Sequence, residues 1–293
     1  MLRSTMIGKC KVSSLVEFYG PTHVPGITFP SYQKAAVEEN RDWLVPNHWN
    51  PETDRFVIAI QIWIVHAGSN IILVDTGAGN HKQRQTVRMN MLNTLALTWM
   101  EAAGAPREKV THVVITHLHL DHVGWNTMLE DGRWVPTFPN ARYLVPKENY
   151  DFWKSSIEKG GSTFDGGSFA DSVLPVVQAG MVEFIQPQKE IAGCLTVESL
   201  PGHTPGHLGF RLRSDGGEGL FTGDVMHHPI QIVCPTWNSV YCMLPDDARH
   251  TRAELLARAA DTDVLIMPCH FGPPHCGYIR RQAGGYRFGP MVW

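Results

Sequence analysis

The sequence predicts an α/β fold in which buried strands alternate with helices. Two observations support this fold class. Short apolar runs rich in Val, Ile and Leu recur along the chain, and segments whose apolar residues follow helical spacing lie between them. Four of these runs are followed within a few residues by histidine or aspartate. We therefore expect side chains from distant segments to meet at the strand ends.

The spacing of apolar residues predicts the individual elements. Residues 56–65 and 71–77, joined by a turn at 68–70, are expected to form a hairpin of buried strands. Helical spacing predicts one helix between about 82 and 103, and a second is expected to begin near His122, after a short strand at 110–115. Further strands are expected at 195–200, 219–222 and 264–267, and outer helices near 147–158, 169–174 and 246–260.

Length and composition indicate one domain. The chain has 293 residues, 43% of them hydrophobic, which is enough for a sizeable core. No repeat, low-complexity tract or Ser/Gly linker divides it. We expect a single domain over residues 1–293 with an irregular N-terminal arm up to about residue 55, because residues 22–51 are rich in Pro, Asn and aromatic side chains.

Charge and hydropathy exclude several classes of function. Charged residues make up 18% of the chain and the formal net charge is −3, so a nucleic-acid partner is not expected. No apolar run approaches the roughly 18 residues of a membrane span, and no signal-like apolar stretch follows the first residues. These features predict a cytoplasmic protein without a membrane partner. The six cysteines form no C-x-x-C pair and are expected to be mostly buried thiols.

The densest of the histidine clusters predicts a metal site. Fifteen histidines occur in the chain, and residues 117–122 read His-Leu-His-Leu-Asp-His. Alternate residues of an extended segment point the same way, so His117 and His119 can hold one ion. Asp121 and His122, at the following turn, are then free to reach a second ion. The alternative, a polar turn with solvated or helix-capping side chains, does not explain four ligand-type residues in six.

Three later segments are expected to complete two sites. His203, in a tight Gly- and Pro-rich loop, is predicted to join the first ion, with His207 more suited to a structural role. Asp224 follows a buried strand and is predicted to lie between the two cations. His270 is predicted to complete the second site, and His275, further from its strand, is the competing candidate.

This set of residues resembles the metallo-β-lactamase superfamily. The match comprises the H-x-H-x-D-H motif at 117–122 and the later His203, Asp224 and His270, and it extends from about Ile58 to His270. Asp75, in Leu-Val-Asp-Thr-Gly, resembles an early family motif whose aspartate supports the metal loop. The resemblance implies a four-layer αββα sandwich and two divalent metal ions. Zinc is implied by the family, although nitrogen and oxygen ligands also admit Mn²⁺, Co²⁺ or Fe²⁺.

A finer resemblance is to the methyl parathion hydrolase and lactonase branch. It is carried by residues 116–124, 138–141, 202–207 and 284–288, and by an aspartate at 224 where a major subgroup of β-lactamases has cysteine. It implies a hydrolase whose metal-bridging hydroxide opens a lactone or cleaves an ester, with Asp121 or Asp224 passing a proton to the leaving group. Phosphotriester or β-lactam and amide hydrolysis are alternatives, as is a non-hydrolytic diiron or persulfide-oxidising protein.

The substrate is predicted only as a class. A small apolar or aromatic lactone or ester suits the aromatic-rich composition, and the N-terminal arm offers a surface for a homodimer. Whether His227 and His228 line the pocket or only pack nearby stays open. Four aromatic residues lie in segments that could rim the cleft, although a place in the core is favoured for them: Trp125, Trp153, Phe164 and Trp237.

Overall fold

Two mixed β-sheets form the centre of the protein. The computed structural model describes residues 2–160 and 167–293. The first-sheet strands are β1 Leu2–Ile7, β2 Cys10–His23, β3 Trp49–Asn50, β4 Arg55–Ala67, β5 Asn70–Val74, β6 His112–Val114, β9 Arg142–Pro146 and β10 Val182–Ile185. The second-sheet strands are β11 Glu190–Ile191, β12 Leu195–Ser199, β13 Leu208–Ser214, β14 Gly217–Gly223, β15 Leu265–Pro268, β16 Gly277–Gln282 and β17 Gly285–Pro290; β7 Thr127–Glu130 and β8 Arg133–Pro136 form a separate hairpin. Within the described residues, the first sheet has the strand order β1-β2-β4-β5-β6-β9-β10, with β3 paired to β4, and the second runs from β11 to β17 in chain order.

Short helices connect and cover the strands. The α-helices are α1 Pro25–Thr28, α2 Lys34–Glu38, α3 Arg41–Leu44, α4 Ala96–Ala102, α5 Lys147–Glu158, α6 Leu174–Gln178, α7 Ile230–Val233 and α8 Pro245–Ala259. Single 3₁₀ turns occur at Val87–Met89 and Gly124–Asn126, and Phe169–Val173 is a π-helical turn. Among the described residues, no helix is long and apolar enough to cross a membrane.

The two sheets pack face to face with helices outside them. Trp63 of the first sheet meets Phe221 of the second, with 5.9 Å between ring centroids. Helices α4 and α5 bury Met100 and Trp153 against the outer face of the first sheet, and α8 buries Leu255 against the second. Strand β4 is therefore covered on both faces, which explains its long apolar run, interrupted at residues 56–65 by the buried Gln61 alone. The predicted αββα architecture is confirmed.

Most predicted strands and the longer outer helices are confirmed. The hairpin of β4 and β5 forms, and β6, β12, β14 and β15 precede the candidate ligands as expected. Helix α5 has the predicted bounds. The six cysteines are free thiols, four of them buried. The single domain and the homodimer stay predictions.

The helix predicted over residues 82–103 is wrong over most of its length. Only Ala96–Ala102 is α-helical, with one 3₁₀ turn before it. The helical pattern rested on Val87, Met91, Leu92, Leu95 and Trp99. Three of these five residues, Val87, Met91 and Leu95, are exposed. Lys82 is instead buried, and its ammonium donates to Thr127. The apolar spacing therefore does not define a core-facing stripe.

Two further expectations are corrected. No helix begins at His122: the backbone N–H groups of Gly124 and Trp125 donate to Gly77 and Thr76, so the chain is bound to the preceding loop instead of to itself. The irregular arm is also shorter than about 55 residues. Strands β1 and β2 occupy its first part, because β2 pairs antiparallel with both β1 and β4.

Candidate metal centre

The candidate ligands lie just beyond the ends of central strands. His117 and His119 follow β6 of the first sheet, whereas His203, Asp224 and His270 follow β12, β14 and β15 of the second. All five are at most 7% exposed. Because the two sheets face each other, loops from both converge at one edge of the sandwich. The structure thus brings together residues separated by more than 150 positions in the chain.

The first group contains the three histidines predicted to share an ion. Ligand atoms of His117, His119 and His203 all lie within 4.8 Å of one another. The Nδ1 atom of His119 is 3.1 Å from Nε2 of His117 and 2.9 Å from Nε2 of His203. Tetrahedral zinc with bonds of about 2.0 Å separates its ligating nitrogens by about 3.3 Å. The spacing therefore suits one small cation.

The second group contains Asp121, His122 and His270. Their ligand atoms also lie within 4.8 Å of one another. Nε2 of His122 is 3.8 Å from the Asp121 carboxylate, and Nε2 of His270 is 3.7 Å from it. Asp121 is the most open member, with 16% of its side chain exposed. This group combines two imidazoles with one carboxylate, a donor set that divalent transition metals accept.

Asp224 lies between the two groups. Its Oδ2 is 3.3 Å from Nε2 of His203 and 3.0 Å from Nε2 of His270, and its Oδ1 is 3.4 Å from Nε2 of His122. One carboxylate thus faces members of both groups. This is the position expected for a bridging ligand, which stays a prediction.

Two atoms of the centre test whether a metal pair fits. Nε2 of His122 and Oδ1 of Asp224 are buried and make no hydrogen bond in the described structure. The two atoms lie 3.4 Å apart. Buried polar atoms usually have a partner, and a cation that displaces the proton of His122 would be bound by both atoms. Among the residues of the two groups and Asp224, all donors are nitrogen or oxygen. The residues fit two divalent ions.

The electrostatics differ between the two groups. Burial lowers the pKa of His117 and of His203 well below the ordinary value, which leaves both imidazoles neutral and ready to ligate. Around His122 and His270, burial opposes protonation, but Asp224 and Asp121 outweigh it and raise the pKa of both histidines. In the metal-free protein, protonated His122 and His270 therefore offset the negative charge of Asp224 and Asp121, as metal ions would when bound.

Asp75 orients the second group from behind. Its carboxylate accepts hydrogen bonds from the backbone N–H of Thr116 at 2.8 Å and from Nδ1 of His122 at 2.9 Å. The thiol of Cys269 donates to it at 3.2 Å. The bond to Nδ1 leaves Nε2 of His122 as the ligating nitrogen. This geometry matches the supporting role implied for Asp75 by the resemblance.

Asn149 is a supporting residue that the sequence did not indicate. Its Oδ1 accepts from the backbone N–H of Leu118 at 2.8 Å, and its Nδ2 donates to Thr204 at 3.0 Å and to the Pro205 carbonyl at 2.6 Å. The fully buried amide therefore joins the loop of His117 and His119 to the loop of His203. A single Asn in a helix gives no local sign of this role.

Of the three other histidines considered as site residues, His227 lies beside the candidate ligands, whereas His228 and His275 do not. Nε2 of His227 is 3.4 Å from Oδ2 of Asp224, and His227 also forms a group with His203 and Cys242. His228 instead stacks on Phe56 and contacts the His48 carbonyl, away from the cluster. His275 contacts the Phe271 carbonyl and belongs to none of the ligand groups of the described residues.

A cavity of about 290 Å³ opens above the centre. Its walls include Phe18, Ile58, Ile60 and Met89, and its floor includes Asp121, His203, Asp224 and His270. Three of the four aromatic residues considered for the rim lie in the core, which was the favoured expectation: Trp125, Trp153 and Trp237. Phe164 lies outside the described residues.

Known proteins share this fold and parts of this sequence. N-acyl homoserine lactonase AttM from Azorhizobium caulinodans is 28% identical over 116 residues, 39% of this chain and 40% of that protein. AttM from Agrobacterium fabrum is 29% identical over 119 residues, again 39% of this chain and 40% of that protein. The matched part thus spans less than half the length of these relatives.

Two solved structures cover all of this chain. One is hydrolase AbOPH in the beta lactamase superfamily, with a TM-score of 0.82, 24% identity and 98% of that chain covered. The other is AidC, a dizinc quorum-quenching lactonase in complex with its product, with a TM-score of 0.80, 20% identity and 98% of that chain covered. At these identities the likeness shows the fold. The family profile of the metallo-beta-lactamase superfamily matches residues 56–270, and the chain belongs to that superfamily.

Proposed function

We propose that this protein is a dinuclear metal-dependent hydrolase that opens a lactone or cleaves an ester. The observation that carries the proposal is the position of Asp224. Its carboxylate faces both the three-histidine group and the group of Asp121, His122 and His270, at the floor of a cavity. Seven side chains are thereby proposed as ligands of two ions: His117, His119, Asp121, His122, His203, Asp224 and His270.

The ions are proposed to be zinc. When bound, such a pair supplies a water activated for attack near neutral pH and polarises the bond that is cleaved. The protein holds the ligands rigidly for this purpose, since Asp75 orients His122 and Asn149 fixes both histidine loops. Mn²⁺, Co²⁺ or Fe²⁺ would fit the same nitrogen and oxygen donors.

Asp121 is better placed than Asp224 to move a proton to the leaving group. Both carboxylates line the cavity, but Asp121 has 16% of its side chain exposed against 3% for Asp224. Burial raises the pKa of Asp121, while the charges of His122 and His270 outweigh that effect and lower it. Asp121 is therefore ionised in the metal-free site and is more open to the cavity than Asp224, which lies between the two groups.

The cavity and the relatives favour an apolar lactone or ester over the other substrate classes. Phe18, Ile60 and Met89 give the walls an apolar surface next to the polar floor. Both AttM proteins are N-acyl homoserine lactonases, and AidC is a lactonase seen with N-hexanoyl-homoserine as product. A lactone ring near the metal pair with an apolar chain along the wall suits this surface.

A turnover screen tests the proposal. The protein, purified with its metal and assayed for zinc, manganese, cobalt and iron on the same sample, is offered lactones, aryl esters, phosphotriesters and β-lactams. We expect two ions per chain and the highest kcat/KM for a lactone or aryl ester. Full metal occupancy without turnover in any class would refute a hydrolase. Iron with a visible absorption band would favour the non-hydrolytic diiron alternative.

A further inference from the structure

Arg88 is a cation in the wall of the cavity that contains the candidate metal centre. It lies in the 3₁₀ turn Val87–Met89, on the irregular segment between β5 and α4. Its side chain is half-buried and lines the same cavity as Asp121, Asp224 and His270. A guanidinium at this place can contact whatever occupies the cavity.

The neighbour of Arg88 does not neutralise it. Nη2 of Arg88 lies 3.1 Å from Nε2 of His23. A guanidinium can only donate, so Nε2 of His23 is the acceptor and its Nδ1 carries the proton, which is donated to Oγ1 of Thr22 at 2.8 Å. His23 is therefore neutral. Burial and the Arg88 charge together lower the pKa of His23 to about 3.

Two other cationic side chains of the same segment form ion pairs with a carboxylate. Lys82 and Arg84 both pair with Asp171, at 3.4 Å and 2.6 Å. Arg88 differs from both. No acidic side chain of the described residues forms an ion pair with its guanidinium within 4.0 Å. Several of the five guanidinium N–H groups thus remain for a ligand.

The surroundings of Arg88 define the chemistry of that ligand. Phe18, Ile60 and Met89 give the same cavity an apolar wall. An arginine with a neutral partner in a partly closed cavity binds an anion more strongly than a neutral acceptor, and its planar fork matches a carboxylate. A ligand with an apolar body and one carboxylate would satisfy both surfaces.

We propose that Arg88 is a specificity determinant that binds a carboxylate of the substrate, at a distance from the bond that is hydrolysed. The preferred substrate is then a monoanionic ester or lactone whose apolar chain joins the hydrolysed group to a free acid. This inference rests on the proposed hydrolase function. It goes beyond that function by naming a charged group that the substrate carries.

Matched esters test the inference. The p-nitrophenyl monoesters of succinic, adipic and suberic acid carry a free carboxylate at three distances from the ester bond. The corresponding mixed methyl p-nitrophenyl diesters are neutral. We expect the wild-type protein to prefer at least one acid over its methyl diester. Arg88→Gln should reduce this preference, as a ratio of kcat/KM values, by roughly tenfold or more, mainly through KM. Arg88→Lys should restore part of it.

Arg133→Gln is the matched control, since Arg133 is exposed on β8 and does not line the cavity. It should keep the wild-type preference. Equal preference in the wild type and in Arg88→Gln, or an equal loss for acid and methyl diester, would overturn the carboxylate assignment.

A binding measurement separates this inference from the proposed function. If no ester is hydrolysed, the hydrolase proposal fails, but calorimetric titration of the metal-loaded protein with monomethyl adipate and monomethyl suberate still tests Arg88. Tighter binding by the wild type than by Arg88→Gln, at equal metal content, would support the carboxylate site. Equal affinity for both acids in the two proteins would refute it.

Discussion

The backbone N–H of Asp224 donates a hydrogen bond of 3.0 Å to Nε2 of His207. The other ring nitrogen of His207 donates to the Leu200 carbonyl at 2.8 Å, which fixes the ring and its tautomer. Gly223, directly before Asp224, leaves no room for a Cβ, which would lie 2.5 Å from the same ring. His207 thus sets the backbone position from which Asp224 reaches both groups of candidate ligands.

His207→Ala is expected to weaken metal binding although His207 is not a proposed ligand. Without the ring, the N–H of Asp224 loses its acceptor and the carboxylate is less well placed. A loss of about 10- to 100-fold in zinc affinity is expected, measured by competition with a chromophoric chelator. His275→Ala removes a buried histidine outside the ligand groups. It should lower the melting temperature without lowering affinity; equal affinity losses in both variants would contradict a specific role for His207.

Asp75→Asn is expected to impair the second group. The carboxylate accepts from Thr116 and His122, so an amide would direct N–H groups at one of these donors. His122 would then lose its fixed orientation, and zinc affinity should fall about 10- to 100-fold. Asp54→Asn is the control, because the Asp54 carboxylate accepts from Nε1 of Trp49 at 3.0 Å, away from the centre. Unchanged affinity in Asp75→Asn would refute the supporting role.

Metal uptake is expected to release protons at neutral pH. The pKa of His122 and of His270 is raised by nearby carboxylates in the metal-free protein, so both rings carry protons that a metal must displace. His117 and His203 contribute no protons because their pKa is lowered. Filling the centre at pH 7 should release about one to two protons per chain, measured by calorimetry in buffers of different ionisation enthalpy. No release would contradict the charge assignment.

The same shifts fix the sign of the pH effect on the metal-free protein. A raised folded-state pKa stabilises the fold below the ordinary histidine value of 6.5, and that stability is lost as the pH rises through the folded-state pKa. The metal-free protein should therefore lose stability above pH 6.5 relative to the metal-loaded protein. Melting temperatures of both forms across this range give the comparison.

The candidate site was predictable because its signals are local. The motif at 117–122 places four ligand-type side chains in six residues, and His203, Asp224 and His270 each follow a predicted strand. Such strands are recognisable because β4, β14 and β15 are buried along most of their length. Ligands close together in the chain, and strands that are buried along most of their length, both give patterns that can be recognised in the sequence.

The segment before α4 was not predictable for the opposite reason. Its shape depends on Lys82 and Arg84 reaching Asp171, 87 to 89 positions later in the chain. Residue spacing carries no information on such contacts, and the apolar residues Val87 and Leu95 are exposed. Arg88 in the cavity wall and Asn149 between the two histidine loops were missed because their roles also arise from distant partners.

Gly124→Ala is expected to destabilise the protein by about 1 to 3 kcal/mol or more. A Cβ at this position would lie 1.9 Å from the Ala78 carbonyl carbon, which is backbone and cannot move aside cheaply. Gly285→Ala is the control because its Cβ would meet no atom within 4 Å. Denaturant unfolding of both variants measures the difference. Equal stability of Gly124→Ala and the wild type would refute the close packing of these loops.

Asp121→Ala and His203→Ala test the proposed ligand set directly. Each removes one member of a different group, so each variant should retain about one ion where the wild type holds two, and kcat/KM should fall roughly hundredfold or more. His227→Ala is the matched control, since His227 lines the cavity 3.4 Å from Asp224 but is not a proposed ligand. It should keep both ions, and loss of an ion there would move His227 into the set. Full metal content with full activity in Asp121→Ala or His203→Ala would reject the assignment, because a buried group of three ligands cannot lose one and bind its ion equally well.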